Sequence, residues 1–312
     1  MSDKIAVIIS KDRKVLPEHE KRERELLAEL EKWPELSVTV VSHLYDLPPD
    51  GSVVRLLQST VGDMVLFSWL YPRAAFWVLN ANQVQGRLGP TSSLREVDFG
   101  ESVGAPSRTA ESARTIWCFD LRSHQRVEPY LAEIARIVEP VRAKVSAAIA
   151  AKRNGKVHVV EESTRTRWYP VLDFGRCTNC LECLNFCLFG VFGLGAQGEI
   201  VIEQADACRP GCPACSRICP AGAIMFPQHD DPAIAGDPAA SADGLKLDLS
   251  QLFQGMGVRE LASAERQRAL DEQRRQEAVE RQGKSSPGAK ESRSADRDNL
   301  DRLVDEIDDL DL

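Results

Sequence analysis

Eight of the nine cysteines in this chain fall between Cys177 and Cys219, in two runs. The first is Cys177-x2-Cys180-x2-Cys183-x3-Cys187, and the second is Cys208-x3-Cys212-x2-Cys215-x3-Cys219-Pro220. So many thiols in so short a stretch leave little freedom: they form disulfides or they hold metal. The opening residues, MSDKIAVIISKDRK, have an apolar core of only Ile5 to Ile9, too short for a secretory signal and without a small-residue cleavage site after it. That predicts a cytoplasmic address, where thiols stay reduced, so metal is the expected use. The longest nearly apolar stretch, Met64 to Leu70, is far below the ~20 residues of a membrane span. A formal net charge of -8 argues against non-specific nucleic-acid binding, which needs a cationic field.

Four thiolates are the ligand set of a cubane iron–sulfur cluster. A tight loop of three cysteines wraps one corner of such a cluster, and the fourth ligand must come from elsewhere. The spacers fit, since Thr178-Asn179 and Pro213-Ala214 are small or turn-forming, and Gly175 and Gly211 ease backbone approach. The competing reading is zinc, for which two Cys-x2-Cys pairs suffice. Eight cysteines in two matched runs exceed what one zinc ion needs. Leu181, Phe186, Phe189, Val191, Phe192, Ile200, Ile218 and Ile224 are available as an apolar shell.

The region resembles the bacterial two-cluster ferredoxins over about residues 167–228. An internal repeat supports the resemblance: Cys180, Cys183, Cys187 and Gly190 recur as Cys212, Cys215, Cys219 and Gly222. The family fold is two β–loop–α–β halves related by a pseudo-twofold axis, and in it the fourth cysteine of each run serves the other cluster. The resemblance therefore implies two [4Fe-4S] clusters. Cluster I would be held by Cys177, Cys180, Cys183 and Cys219, and cluster II by Cys208, Cys212, Cys215 and Cys187. Two features depart from the family: the three-residue gap between Cys208 and Cys212, and Leu188 where a proline usually follows the fourth cysteine. Neither removes a ligand.

Residues 1–155 read as alternating strands and helices, predicting a three-layer α/β domain with a small, open, mostly parallel sheet. KIAVIIS, SVTVVSHL, DMVLFSWL and RTIWCFDL are four candidate strands. Glu18–Trp33, Ser52–Ser59, Pro72–Ala81 and Val127–Lys152 are candidate helices, the last kinked at Pro140. Neither a GxGxxG fingerprint nor a P-loop follows the first strand, which excludes dinucleotide binding in its usual mode. Ligands of such sheets sit beyond the carboxyl ends of the strands. Here those ends carry Lys11, Arg13, His43, Tyr45, Trp69, Tyr71, Arg73, Asp120 and Arg122. Phe76, Trp77 and Cys118 read as core residues, and His43 as a structural histidine.

After the cysteine region, an α+β ferredoxin-like domain over 167–228, residues 229–296 read as a linker and low-order charged region. Within it Ala262 to Gln282 is helix-prone. Residues 297–312 form an acidic amphipathic segment, with Leu300, Leu303, Val304, Ile307 and Leu310 on one narrow face. The chain as a whole is expected to be an iron–sulfur electron-transfer protein of ferredoxin type. It would pass single electrons to or from a redox partner protein, docked through the acidic C-terminal helix. The alternative is an oxidoreductase component whose front domain binds a substrate or cofactor fed by the clusters. No catalytic residue is evident.

Overall fold

Strand β1 (Ile5–Ser10) is built almost wholly from apolar, mostly β-branched residues. A strand covered on both faces must be apolar at every position, not at alternate ones. Strands β2 (Leu36–Val41) and β3 (Met64–Ser68) follow the same rule, and every residue of β3 is buried. Helices α1 (Pro17–Leu30), α2 (Ser52–Ser59) and α3 (Pro72–Ala81) alternate with them, α1 and α3 each opening on a proline whose missing N–H costs nothing there. Strand β4 (Arg87–Leu88), strand β5 (Thr115–Asp120), helix α4 (Glu128–Arg142) and strand β6 (Lys156–Val160) complete the front half. The computed structural model describes residues 4–92, 114–142, 156–238, 240 and 258–283.

All six strands are parallel, in the order β4-β5-β3-β1-β2-β6. Two apolar layers flank the sheet. One joins Leu44, Val53, Leu57, Phe76 and Leu79 to the strands, and the other joins Leu26, Leu30, Tyr130, Ile134 and Val138. Among the described residues the sheet has six strands where the apolar runs predicted four, and it continues past residue 155. The two extra strands lie at the edges, where only part of a strand is covered. β6 alternates polar and apolar residues, Val159 remaining 57% exposed, and β4 is two residues long. Neither carries the continuous apolar signal of a central strand. Helix α4 passes through Pro140, and its predicted extension to Lys152 lies outside the described residues.

The cysteine region follows as two short β–α–β halves. Strand β7 (Val171–Leu172), helix α5 (Glu182–Phe186) and strand β8 (Phe192–Leu194) form the first; strand β9 (Ile200–Ile202), helix α6 (Ala214–Ile218) and strand β10 (Ile224–Met225) form the second. β7 pairs antiparallel with β10, and β8 with β9, so each half completes the other. Order continues past residue 228, against the expected linker. Helix α7 (Pro232–Ala235) is capped by the Asp231 side chain, and Ile234 is fully buried. Helix α8 (Val258–Gly283) covers the helix-prone stretch Ala262 to Gln282 and buries Leu261 and Ala262. By compactness the chain divides into Met1–Ala269 and Leu270–Leu312, and the side-chain contacts of α8 described here, up to Arg266, belong to the first unit. The acidic segment 297–312 lies outside the described residues.

The sheet's carboxyl edge, where a ligand was expected, meets the cysteine region. Arg13 and Asp46 form a two-point ion pair, and Asp46 also accepts the Arg167 backbone N–H at 2.9 Å. Tyr45 and Tyr169 stack with centroids 4.3 Å apart, and the Tyr45 hydroxyl accepts the Tyr169 N–H at 2.7 Å and donates to the Tyr169 carbonyl. His43 is buried and receives a hydrogen bond from Gln228 at Nε2, 3.1 Å away; desolvation lowers its pKa to about 4, so the ring is neutral. Arg73 pairs with Asp173 at 2.6 Å and donates to the Gly222 carbonyl at 2.8 Å. Arg122 chelates Asp120 and lies 4.2 Å over the Tyr71 ring, while Trp69 stacks on His19 and Lys11 pairs with Glu161. Phe76, Trp77 and Cys118 are buried, as expected of core residues.

Both members of the Arg73–Asp173 pair are 7% exposed at the side chain. Removing one partner strands the other as an uncompensated buried charge, at a cost of about 3–5 kcal/mol. Arg73→Ala is therefore expected to lower the denaturation midpoint by that order, whereas Lys11→Ala, at an exposed pair, leaves it nearly unchanged. Equal midpoints for the two variants would show that the bridge does not hold the halves together.

Candidate metal centre

The first cysteine loop is shaped by Asp173. Its carboxylate accepts the N–H groups of Gly175 and Arg176 at 2.9 and 3.1 Å, and its carbonyl accepts the Cys177 N–H at 3.0 Å. Asn179 and Leu181 adopt left-handed backbone, with φ of 55° and 61°. Asparagine tolerates this conformation, and its side chain bridges the Gly198 carbonyl and the Ile200 N–H at 3.0 and 2.8 Å. The loop is thereby fixed to β9. Cys183 then sits inside α5. Cys187 is its extended C-cap, so the chain leaves the helix there, away from the three loop cysteines.

The second run repeats this shape. Helix α6 occupies the positions equivalent to α5, Glu182 mapping to Ala214 and Phe186 to Ile218. Gly190 and Gly222, equivalent in the repeat, both have positive φ, 67° and 58°. Each turn lets the chain reverse after its fourth cysteine, a conformation open to glycine without a Cβ clash. Gly211 also has positive φ, and at the position equivalent to Leu181 stands Pro213, whose ring forbids the left-handed form. The Ala223 N–H points at Cys219 Sγ, 3.3 Å away.

Two cavities lie between the halves. One is lined by Cys177, Cys180, Cys183 and Cys219, with Leu181, Ile200 and Ile224 among its apolar walls. The other is lined by Cys187, Cys208, Cys212 and Cys215, with Phe186, Phe189, Val191 and Phe192. Each cavity thus gathers three cysteines of one run and the last cysteine of the other. Ile218, the remaining residue of the expected shell, packs beside Cys212. Among the described residues no three Cys, His, Asp or Glu side chains converge on one point that could hold a single metal ion. The thiols stand apart, around the cavity walls.

Burial raises the pKa of Cys183 to about 12, and raises Cys177, Cys208, Cys212 and Cys215 as well. Left to themselves these groups would be neutral thiols at pH 7. A positively charged metal centre is what makes buried thiolates affordable, and loading releases their protons. The donor set and the apolar walls suit a cluster that takes four thiolates.

Several contributors have no cysteine to announce them. Trp168 donates its indole N–H to the Cys212 carbonyl at 3.2 Å, Pro170 lines the second cavity, and so does Arg266, from α8. The cysteine spacing points to none of the three, and nothing in the charged pattern around Arg266 distinguishes it from a solvated arginine. Among the described residues no helix is long and apolar enough to cross a membrane.

An uncharacterized ferredoxin of Methanocaldococcus jannaschii is 39% identical to this chain over 66 residues, 21% of this chain and 44% of that protein. The chain thus spans less than half the length of that relative. It carries a ferredoxin-like segment. No protein-family profile matches the chain, and no solved structure matches it.

The left-handed turn at Gly190 has open space where a Cβ would stand. Gly190→Ala therefore costs only backbone strain, about 1–2 kcal/mol. A matching fall in the denaturation midpoint, with the thiols still able to take up metal, is the expected outcome. A neutral substitution would mean that the turn does not need the left-handed form.

Proposed function

We propose that the chain is an iron–sulfur electron carrier with two [4Fe-4S] clusters, passing single electrons to or from a redox partner protein. Cluster I is held by Cys177, Cys180, Cys183 and Cys219, and cluster II by Cys208, Cys212, Cys215 and Cys187. The observation that carries the reading is the exchange of the last cysteines: Cys187 lines the cavity of the second run and Cys219 that of the first. The likeness to an archaeal ferredoxin over the same kind of segment supports it.

When bound, such clusters supply reversible one-electron chemistry at a potential set by hydrogen bonds to sulfur, nearby charge and solvent access. The chain's own residues supply those three controls. The Ala223 N–H faces Cys219 Sγ, Phe186, Phe189 and Phe192 restrict water at the second cavity, and the Arg73–Asp173 pair fixes the loop before Cys177. A carrier is favoured over a subunit with its own substrate site because the sheet's carboxyl edge is occupied by contacts to the cysteine region, from Arg13, Tyr45 and Arg73. On this reading the α/β half is a scaffold and a docking body. A cytoplasmic compartment suits it, since it keeps unloaded thiols reduced.

Anoxically prepared protein is expected to contain about eight iron and eight acid-labile sulfide per chain, as two four-thiolate cubanes require. Zinc as the stoichiometric metal would refute the reading. Cys187→Ala should abolish the EPR signal of the cluster bound by the Cys208–Cys215 loop and spare the other. Loss of the first-run signal instead would overturn the crossed assignment.

A further inference from the structure

The two cysteine halves repeat each other, but their surroundings do not. Cys180 and Cys212 are equivalent in the repeat, yet Cys180 is exposed and Cys212 is buried. The cover over Cys212 comes from α8: Ala262, fully buried, packs against Cys212 and Ala214, with Phe186 and Ile218 alongside. Arg217 holds the helix there, its Nε–H shared between the two carboxylate oxygens of Glu265 at 2.6 and 2.7 Å. One residue on, Arg266 enters the wall of the second cavity. It donates to the Phe186 carbonyl at 2.8 Å and lies 4.2 Å over the Phe186 ring. Among the described residues no carboxylate pairs with Arg266, and the adjacent Glu265 is engaged by Arg217. The first cavity is lined instead by Glu182, whose carboxylate pairs with Arg259 at 2.7 Å.

We propose that Arg266 is a positioning residue that makes the second cavity the resting place of an electron and leaves the first cavity as the port through which electrons enter and leave. The proposal rests on the two-cluster reading. An electron taken up in a cavity adds one negative charge to a region of low dielectric. A fixed guanidinium in the wall offsets that charge, and exclusion of water by α8 strengthens the attraction and weakens its screening. Glu182 acts in the opposite sense at the first cavity, where its partner Arg259 is largely exposed and the attraction is correspondingly screened. Exposure of Cys180 gives the first cavity the short path to a partner. A low-potential one-electron donor, of the reduced flavin or iron–sulfur class, would give up one electron to the group held by Cys177, Cys180, Cys183 and Cys219, and that group would return to its oxidised state by passing the electron to the group held by Cys208, Cys212, Cys215 and Cys187. No bond forms or breaks and no proton is required.

The test is an EPR-monitored redox titration of the full chain, purified anoxically, with iron and sulfide counted in each sample. Two signals are expected, and a water-soluble paramagnetic relaxation agent identifies the shielded one. In the parent protein the shielded signal should appear first as the potential is lowered. Arg266→Gln should move that signal to lower potential and leave the other in place, and Arg266→Lys, which keeps the charge, should preserve the order. If the exposed signal appears first in the parent, or if Arg266→Gln moves neither signal while eight irons are bound, the proposal is wrong and the two-cluster reading survives. If the parent lacks iron and sulfide, the two-cluster reading fails and takes this proposal with it.

Discussion

A guanidinium and a carboxylate, both nearly removed from water, join the two halves of this protein. Arg73 stands in the first turn of α3 and Asp173 just after β7. Burying two charges is unfavourable unless their geometry and remaining hydrogen bonds are good. Here they are: Asp173 also caps the turn before Cys177, and Arg73 also reaches the Gly222 carbonyl just beyond Cys219. One side chain of the α/β half therefore fixes both approaches to the first cavity. These two segments are far apart in sequence, and their meeting is what lets Cys219 line the same cavity as Cys177.

The price of this arrangement is the sheet's usual binding edge. In open parallel sheets the carboxyl ends of the strands are where ligands bind. In this chain the loops there carry arginine, tyrosine and aspartate, residues that also serve ligand sites. The structure spends several of them on the polypeptide itself. Tyr45 satisfies the backbone of Tyr169 and Asp46 that of Arg167. Neutral His43, held by Gln228, belongs to the same seam. The α/β half is thereby coupled to the cysteine region by hydrogen bonds whose loss would leave buried polar groups unsatisfied.

A repeat need not produce equal sites. The left-handed glycines and the paired helices preserve the symmetry of the backbone, while α8 covers Cys212 and leaves its counterpart Cys180 exposed. Its contact is made by small and charged residues, Ala262, Glu265 and Arg266, supported by Arg217. A helix of this composition has too narrow an apolar stripe to mark itself as a packing element, and it is the apolar surface around Cys212 that gives it a place to settle.

The central strands, the helices between them and the thiol inventory are written in local sequence. Continuous apolar runs can only be central strands or buried helices, and the helix over Pro72–Ala81 was legible to its ends from Pro72 and the periodicity that follows. The repeat that pairs Gly190 with Gly222 was equally plain, because local spacing encodes local geometry. The edge strands, the order past residue 228, the partners of Arg73 and the place of Arg266 are set by long-range contacts. These depend on residues distant in sequence meeting across a surface. An arginine in a charged run carries no mark of whether it will face water or a cavity, since that is set by what packs against it.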